Sequence, residues 1–260
     1  MTTFHLTLSS GALDIFKKAL ATCARHSSTL FIEKSKVSQQ IHQNMWLRSD
    51  FTSILGEDVN MSLLLDNKSM KQLKHVKCEN TDVVVTFDKD RYRVTDGQAA
   101  ANVVYLPPIS LTHTSPPTIH QLSAMGTTTP LYEDALNKVL AVCRDNGPIV
   151  LFFDNKDEMY AIANKHHTTF HLMSSEVLVG SMDAVKPNCV LLSYALDKVE
   201  CAGLELSAFK ESFSSDSIHG RFTYWLLVKM DIALGVSIEL LEQVQPLSKV
   251  IQDNYLRACV

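Results

Sequence analysis

The chain has 260 residues, 46% of them hydrophobic, with 24 Lys and Arg against 28 Asp and Glu and a formal net charge of -4. That length accommodates one large domain or two of ordinary size, and no apolar run is long enough to span a bilayer. The mildly acidic total excludes a protein that coats nucleic acid through bulk charge, so the placement of charge matters more than its sum.

The N-terminal MTTFHLTLSS has neither the basic stretch nor the apolar core of a secretion signal. Six cysteines lie scattered at positions 23, 78, 143, 189, 201 and 259, with no CxxC pair. This predicts free thiols in a reducing compartment, with neither a zinc site nor a redox motif. The expected location is intracellular: the nucleus for a eukaryotic or nuclear viral protein, otherwise the cytoplasm.

Thr3 to Leu8 alternates and predicts a first strand. Gly11 to His26 carries Leu13, Phe16, Leu20 and Cys23 on one helix face, with Ser10 in the N-cap region. Strands are predicted at Thr29 to Ile32, Ile41 to Arg48 and Met61 to Leu65. In the second of these, Ile41, Gln43, Met45 and Leu47 share a face. Asp66 can cap a helix over Lys68 to Lys77, with Met70, Leu73 and Val76 turned inward. Asp82 to Asp88, Arg91 to Thr95 and Ala99 to Tyr105 follow as strands. Leu106 to Thr118 has four prolines in thirteen residues, unsuited to a helix interior or central strand, and predicts a linker.

The second half repeats the order. A strand at Thr118 to Ala124 leads to a helix over Pro130 to Asp145. Strands follow at Ile149 to Phe153, Met159 to Ala163, Thr168 to Met173 and Cys189 to Tyr194. Leu204 to Leu206 is expected to enter a short helix, Ser207 to Phe213. Arg221 to Lys229 and Gly235 to Val244 close the domain as an antiparallel pair. The text KKALATC at Lys17 to Cys23 returns as NKVLAVC at Asn137 to Cys143. The fold class is therefore α+β, built from two similar domains of antiparallel strands with two helices each. The boundaries are 1–106, a linker at 107–118, 119–245, and a tail at 246–260.

No Walker loop, GxGxxG, GxSxG or HExxH motif occurs. His166, His167 and His171 lack a partner at ligand spacing and read as surface histidines. Asp154, Asp157 and Glu158 read as a solvated turn. Cys23 and Cys143 fall on apolar helix faces and read as packing residues. No catalytic, metal or cofactor site is predicted, and the chain is expected not to be an enzyme.

The helices carry the basic residues: Lys17, Lys18 and Arg25 on the first, and Lys68, Lys71, Lys74 and Lys77 on the second with no acid among them. In the second half the counterparts are Lys138, Arg144 and Lys210. Each alone fits a solvated face; together they suggest a surface that meets phosphates without reading bases.

At Leu47-Arg48-Ser49-Asp50-Phe51 the chain resembles the LRSxxF turn of DNA sliding clamps, the polymerase processivity factors typified by proliferating cell nuclear antigen and the phage clamps. Met61 to Leu65 followed by Ser69 to Lys74 is similar to that family's strand and helix. Leu206-Ser207-Ala208-Phe209-Lys210 looks like the same element in the second half. The resemblance implies subunits joined head-to-tail in a closed homotrimer, with sheets on the outer side and helices on the inner side around duplex DNA. It implies that Lys17, Lys18, Arg25, Lys71, Lys74, Lys77, Lys138, Arg144 and Lys210 face DNA. DNA polymerase and a clamp loader would be partners, with no membrane. A partner-peptide groove would involve Met45, Leu47, Ile109, Leu111 and Leu247; for Met45 and Leu47 plain core is an equal alternative. The loop between the second and third strands is shorter than in the eukaryotic clamp, and PLSKVIQDNYLRACV replaces an acidic C-terminal end. A scaffold in a mixed checkpoint- or transcription-type ring and a non-ring viral processivity factor remain alternatives.

Overall fold

The computed structural model describes residues 5–76, 83–88, 91–95, 100–104, 122–127, 130–132, 149–153, 159–163, 168–171, 176–179, 190–194, 201–212 and 222–244. The chain divides into two compact units: Met1–Ser115 with Asp231–Glu239, and Pro116–Met230 with Leu240–Val260.

In the first unit, β1 (His5–Leu8) leads into α1 (Ser10–Cys23). Leu13, Phe16, Leu20 and Cys23 are all buried, as their spacing requires. Ser9, one residue earlier than expected, is the N-cap: its Oγ accepts a hydrogen bond from the Ala12 N–H at 3.3 Å. After β2 (Thr29–Ile32), Lys34 and Ser35 make a two-residue turn with φ of 48° and 61°. Positive φ at two non-glycine residues is uncommon. Here the surroundings fix it, because Ser35 is fully buried and its N–H donates to the Val59 carbonyl at 2.8 Å. Its hydroxyl reaches the Gly56 and Glu57 carbonyls and accepts from the Val59 N–H.

The predicted strand Ile41 to Arg48 is instead a hairpin, β3 (Lys36–His42) and β4 (Met45–Asp50), turning at 43–44. Ile41, Gln43, Met45 and Leu47 therefore do not share one face of one strand. The buried Gln39 side chain joins β3 to β2: its Oε1 accepts from the Phe31 N–H at 3.0 Å, and its Nε2 donates to the Thr29 carbonyl at 2.9 Å.

A short helix, α2 (Thr52–Leu55), was not foreseen. β5 (Met61–Leu64) pairs antiparallel with β2. α3 (Asn67–His75) follows, capped as expected by Asp66, whose Oδ1 accepts from the Ser69 N–H at 2.6 Å. β6 (Val83–Asp88), β7 (Arg91–Thr95) and β8 (Ala100–Val104) complete an antiparallel sheet in the order β1-β6-β7-β8. α3 packs on β8 and on α1.

In the second unit, β9 (Ser123–Thr127) lies later than the predicted Thr118 to Ala124. β10 (Leu131–Tyr132) corrects the predicted helix start, since Leu131 pairs with Leu204 as strand. The remainder of that helix, with Lys138 and Arg144, lies outside the described residues. The strands β11 (Ile149–Phe153), β12 (Met159–Ala163), β13 (Thr168–His171), β14 (Glu176–Val179) and β15 (Val190–Tyr194) form an antiparallel sheet, order β14-β13-β12-β11-β15. Of these only β14 was not predicted.

β16 (Gly203–Ser212) is one ten-residue strand, so the short helix predicted over Ser207 to Phe213 is wrong. Leu204, Leu206, Ser207, Ala208 and Phe209 are all buried, on both faces of the strand. That erases the alternation by which a strand is recognised, leaving a short apolar run that fits helix or strand. β17 (Phe222–Ala233) and β18 (Val236–Val244) form the predicted terminal pair, turning at Leu234 and Gly235 with φ of 47° and 78°. Gly235 belongs to this turn and not to the strand. The turn and its flanks, Asp231–Glu239, belong to the first unit, where β18 neighbours β4. Among the described residues the structure is thus mixed α+β, with antiparallel sheets and three helices.

Candidate nucleic-acid interface

The basic residues on the helices sort into two kinds. α3 buries Ser69 and Leu73, followed by Val76 beyond its end; Met70, expected inside, is half-buried. The opposite stripe, Lys68, Lys71, Lys74 and His75, is exposed. No acidic residue lies within α3; Lys68 feels the charge of the capping Asp66, while among the described residues Lys71 and Lys74 have no ion-pair partner. Lys77 lies outside the described residues.

On α1, Lys18 is exposed on a stripe it shares with Asp14. Arg25 is exposed too, but it falls beyond the helix end at Cys23; its N–H still donates to the Thr22 carbonyl at 3.2 Å. Lys17 differs. Its side chain is 16% exposed, and its ammonium donates to the Val76 carbonyl at the end of α3. Asp14 Oδ1 stands 3.9 Å from that ammonium. Lys17 is therefore held between the two helices with little of its side chain open to solvent, where the resemblance implied a DNA-facing position. The signal that separates it from Lys18 is the helix period, which places 17 nearer the buried residues 13, 16 and 20.

Lys210 is half-buried and lies on β16, paired across from Ser123, so its assignment to a basic helix falls with the helix. Cys23 is fully buried, and burial pushes its thiol up to about 12, so it is a packing residue with no nucleophilic character.

The LRSxxF-like stretch is structural throughout. Leu47 is fully buried and cannot line a groove, while Met45 is half-buried at the start of β4. Arg48 pairs with Glu239 at 3.0 Å, and Ser49 Oγ donates to the Ser237 carbonyl at 2.7 Å. Asp50 holds Lys36 at 3.1 Å and accepts from the Thr52 N–H at 2.9 Å. The Thr52 side chain and N–H, then Lys36, hold its carboxyl below the usual range. Phe51 is fully buried, edge-on to Phe16 with ring centroids 5.8 Å apart. The stretch thus anchors α1, β3 and β18 around β4. Ile109, Leu111 and Leu247 lie outside the described residues.

Among solved structures, the chain is similar over 94% of its length to the whole of proliferating cellular nuclear antigen from Entamoeba histolytica, with a TM-score of 0.61 and 12% identity. It is similar over 97% of its length to 67% of the DNA polymerase sliding clamp from Pseudomonas aeruginosa, with a TM-score of 0.51 and 10% identity. Over 95% of its length it is similar to 67% of a putative DNA polymerase III beta subunit from Eubacterium rectale, at a TM-score of 0.51 and 8% identity. No protein-family model and no curated protein matches the sequence. At such identities the likeness is one of fold: the chain has the fold of the sliding clamps.

Proposed function

We propose that the chain is a sliding clamp, which encircles duplex DNA without regard to sequence and tethers a DNA polymerase and other replication factors. The observation that carries this is α3, a helix with an exposed basic stripe and no acid, in a chain whose fold matches sliding clamps over most of its length. The protein performs no chemistry in this role. Lys18, Lys71 and Lys74 would meet phosphates through weak, exchangeable contacts, with Lys77, Lys138 and Arg144 as further contacts and Arg25 reaching from the turn after α1. Such contacts are equivalent at every register, as sliding requires, and are screened within about 10 Å at 0.1 M salt. Retention then rests on ring closure.

The proposed assembly is a head-to-tail homotrimer of two-domain subunits, with the linker at 107–118, opened by a clamp loader. Met45, Ile109, Leu111 and Leu247 remain the candidates for a partner-peptide groove. The assembly is tested by native mass measurement. A species at three times the 29.0 kDa chain mass supports the ring; a strict monomer at high protein concentration contradicts it.

A further inference from the structure

We infer that Lys17 is a positioning residue: it sets α3 against α1 and neutralises the carbonyl end of α3, so that Lys71 and Lys74 can meet phosphate, while Lys17 itself never does. The inference rests on the DNA-facing role proposed for α3.

α3 ends without the left-handed glycine that commonly satisfies the last carbonyls of a helix. The chain leaves through Val76 in extended conformation, with φ of -75° and ψ of 113°. The carbonyl end of a helix carries roughly half a negative charge. Here the Lys17 ammonium donates to the Val76 carbonyl, just past the last helical residue, and so places a cation from elsewhere in the chain beside that end.

Two consequences follow. The bond ties α1 to the end of α3, which fixes how α3 is presented. It also places positive charge near the C-terminal end of α3, whose last turn carries Lys74 and His75. A phosphate drawn to Lys71 and Lys74 would otherwise approach the negative end of the helix. Asp14, 3.9 Å from the same ammonium, balances part of the charge on the α1 side and helps to hold Lys17 in place.

The test is amine acylation of the full chain with an N-hydroxysuccinimide ester, free and after loading by a clamp loader on closed circular duplex DNA, read by peptide mass spectrometry. In the free protein Lys17 should label on the order of tenfold more slowly than Lys18, because labelling needs local opening; DNA should not change its rate. Lys71 and Lys74 should label quickly when free and slow down when DNA is added. Lys17 labelling as fast as Lys18, or gaining protection only with DNA, overturns the inference. Lys71 and Lys74 unprotected by DNA, with Lys17 still shielded, overturns the DNA role of α3 and with it the purpose given to Lys17.

Salt dependence supplies a readout that a purely structural role would not move. Lys71→Ala should reduce the slope of log affinity against log salt by about one. Lys17→Met should leave that slope unchanged while affinity at fixed salt falls about two- to fivefold. A slope reduced by about one in Lys17→Met makes Lys17 a direct phosphate contact and contradicts the proposal.

Discussion

Arg48 Nη2 lies 3.0 Å from Glu239 Oε2, joining β4 to the hairpin near the C-terminus. Both side chains are half-buried, and Arg48 Nε has no hydrogen-bond partner among the described residues. The guanidinium is thus already incompletely satisfied, and Glu239 is its acidic partner. Glu239→Ala should cost about 1–3 kcal/mol, because it leaves a partly buried charge unpaired. Glu239→Gln keeps an acceptor and should cost less. The two tryptophans, Trp46 and Trp225, lie one in each unit. In a Trp225→Phe background, Trp46 fluorescence during urea unfolding therefore reports on the first unit. An unchanged midpoint for Glu239→Ala would show that the pair contributes nothing.

Asp66 caps α3, and the Ser69 hydroxyl and N–H lower its carboxyl pKa. The folded value lies below the unfolded one. The associated stability is therefore present above the ordinary carboxylate pKa of about 3.9 and is lost as pH falls through the folded value. Asp66→Ala should destabilise the first unit by about 1 kcal/mol at neutral pH. Asp66→Asn should lose less, and the gap between it and the wild type should close in acid. Urea midpoints measured at neutral and acid pH check both; a constant gap would mean that the charge of Asp66 plays no part.

Gly56 ends α2 with φ of 80° and ψ of -178°, a backbone region essentially restricted to glycine. A Cβ built there would meet nothing within 4 Å, so space is no obstacle. Gly56→Ala should therefore cost about 1–3 kcal/mol through backbone conformation alone. It should also disturb the Ser35 hydroxyl, which donates to the Gly56 carbonyl. Hydrogen exchange at the Ser35 and Val59 amides should accelerate along with the fall in unfolding midpoint. A variant as stable as the wild type would show that the turn relaxes freely.

Cys23 is held as a neutral thiol by burial. Its folded pKa is raised, so the stability it contributes is complete below the unfolded value of about 8.5 and declines as pH rises from there toward the folded value. Native protein should resist alkylation at Cys23 at neutral pH, and Cys23→Ala should flatten the alkaline loss of stability. Rapid alkylation of Cys23 without denaturant would contradict its burial.

Local rules made much of this fold legible. The period of Leu13, Phe16, Leu20 and Cys23 is that of α1, and Asp66 followed by lysines and Leu73 is enough for α3. Turn chemistry and burial on both faces were harder to read. Ile41 to Leu47 alternates straight through a turn at Gln43 and Asn44, neither glycine nor proline, so two strands look like one. α2 is announced only by Asp50 accepting from Thr52 and by Gly56, a signal that needs the turn to be recognised first. At β16 both faces are covered and period cannot choose between helix and strand. For the candidate interface, composition identified α3. Composition alone does not separate Lys18 from Lys17; the helix period does, by placing 17 nearer the buried face, and the bond to the Val76 carbonyl shows where the Lys17 ammonium goes.

The central claim is that this protein holds DNA by enclosing it. The direct measurement is retention on a closed circular duplex, loaded with a clamp loader, at a salt concentration that abolishes simple charge-based binding. The protein should stay with the circle through gel filtration and be lost when the same DNA is cut once and left with free ends. Equal retention on circular and linear DNA, or loss from both at that salt, would contradict enclosure.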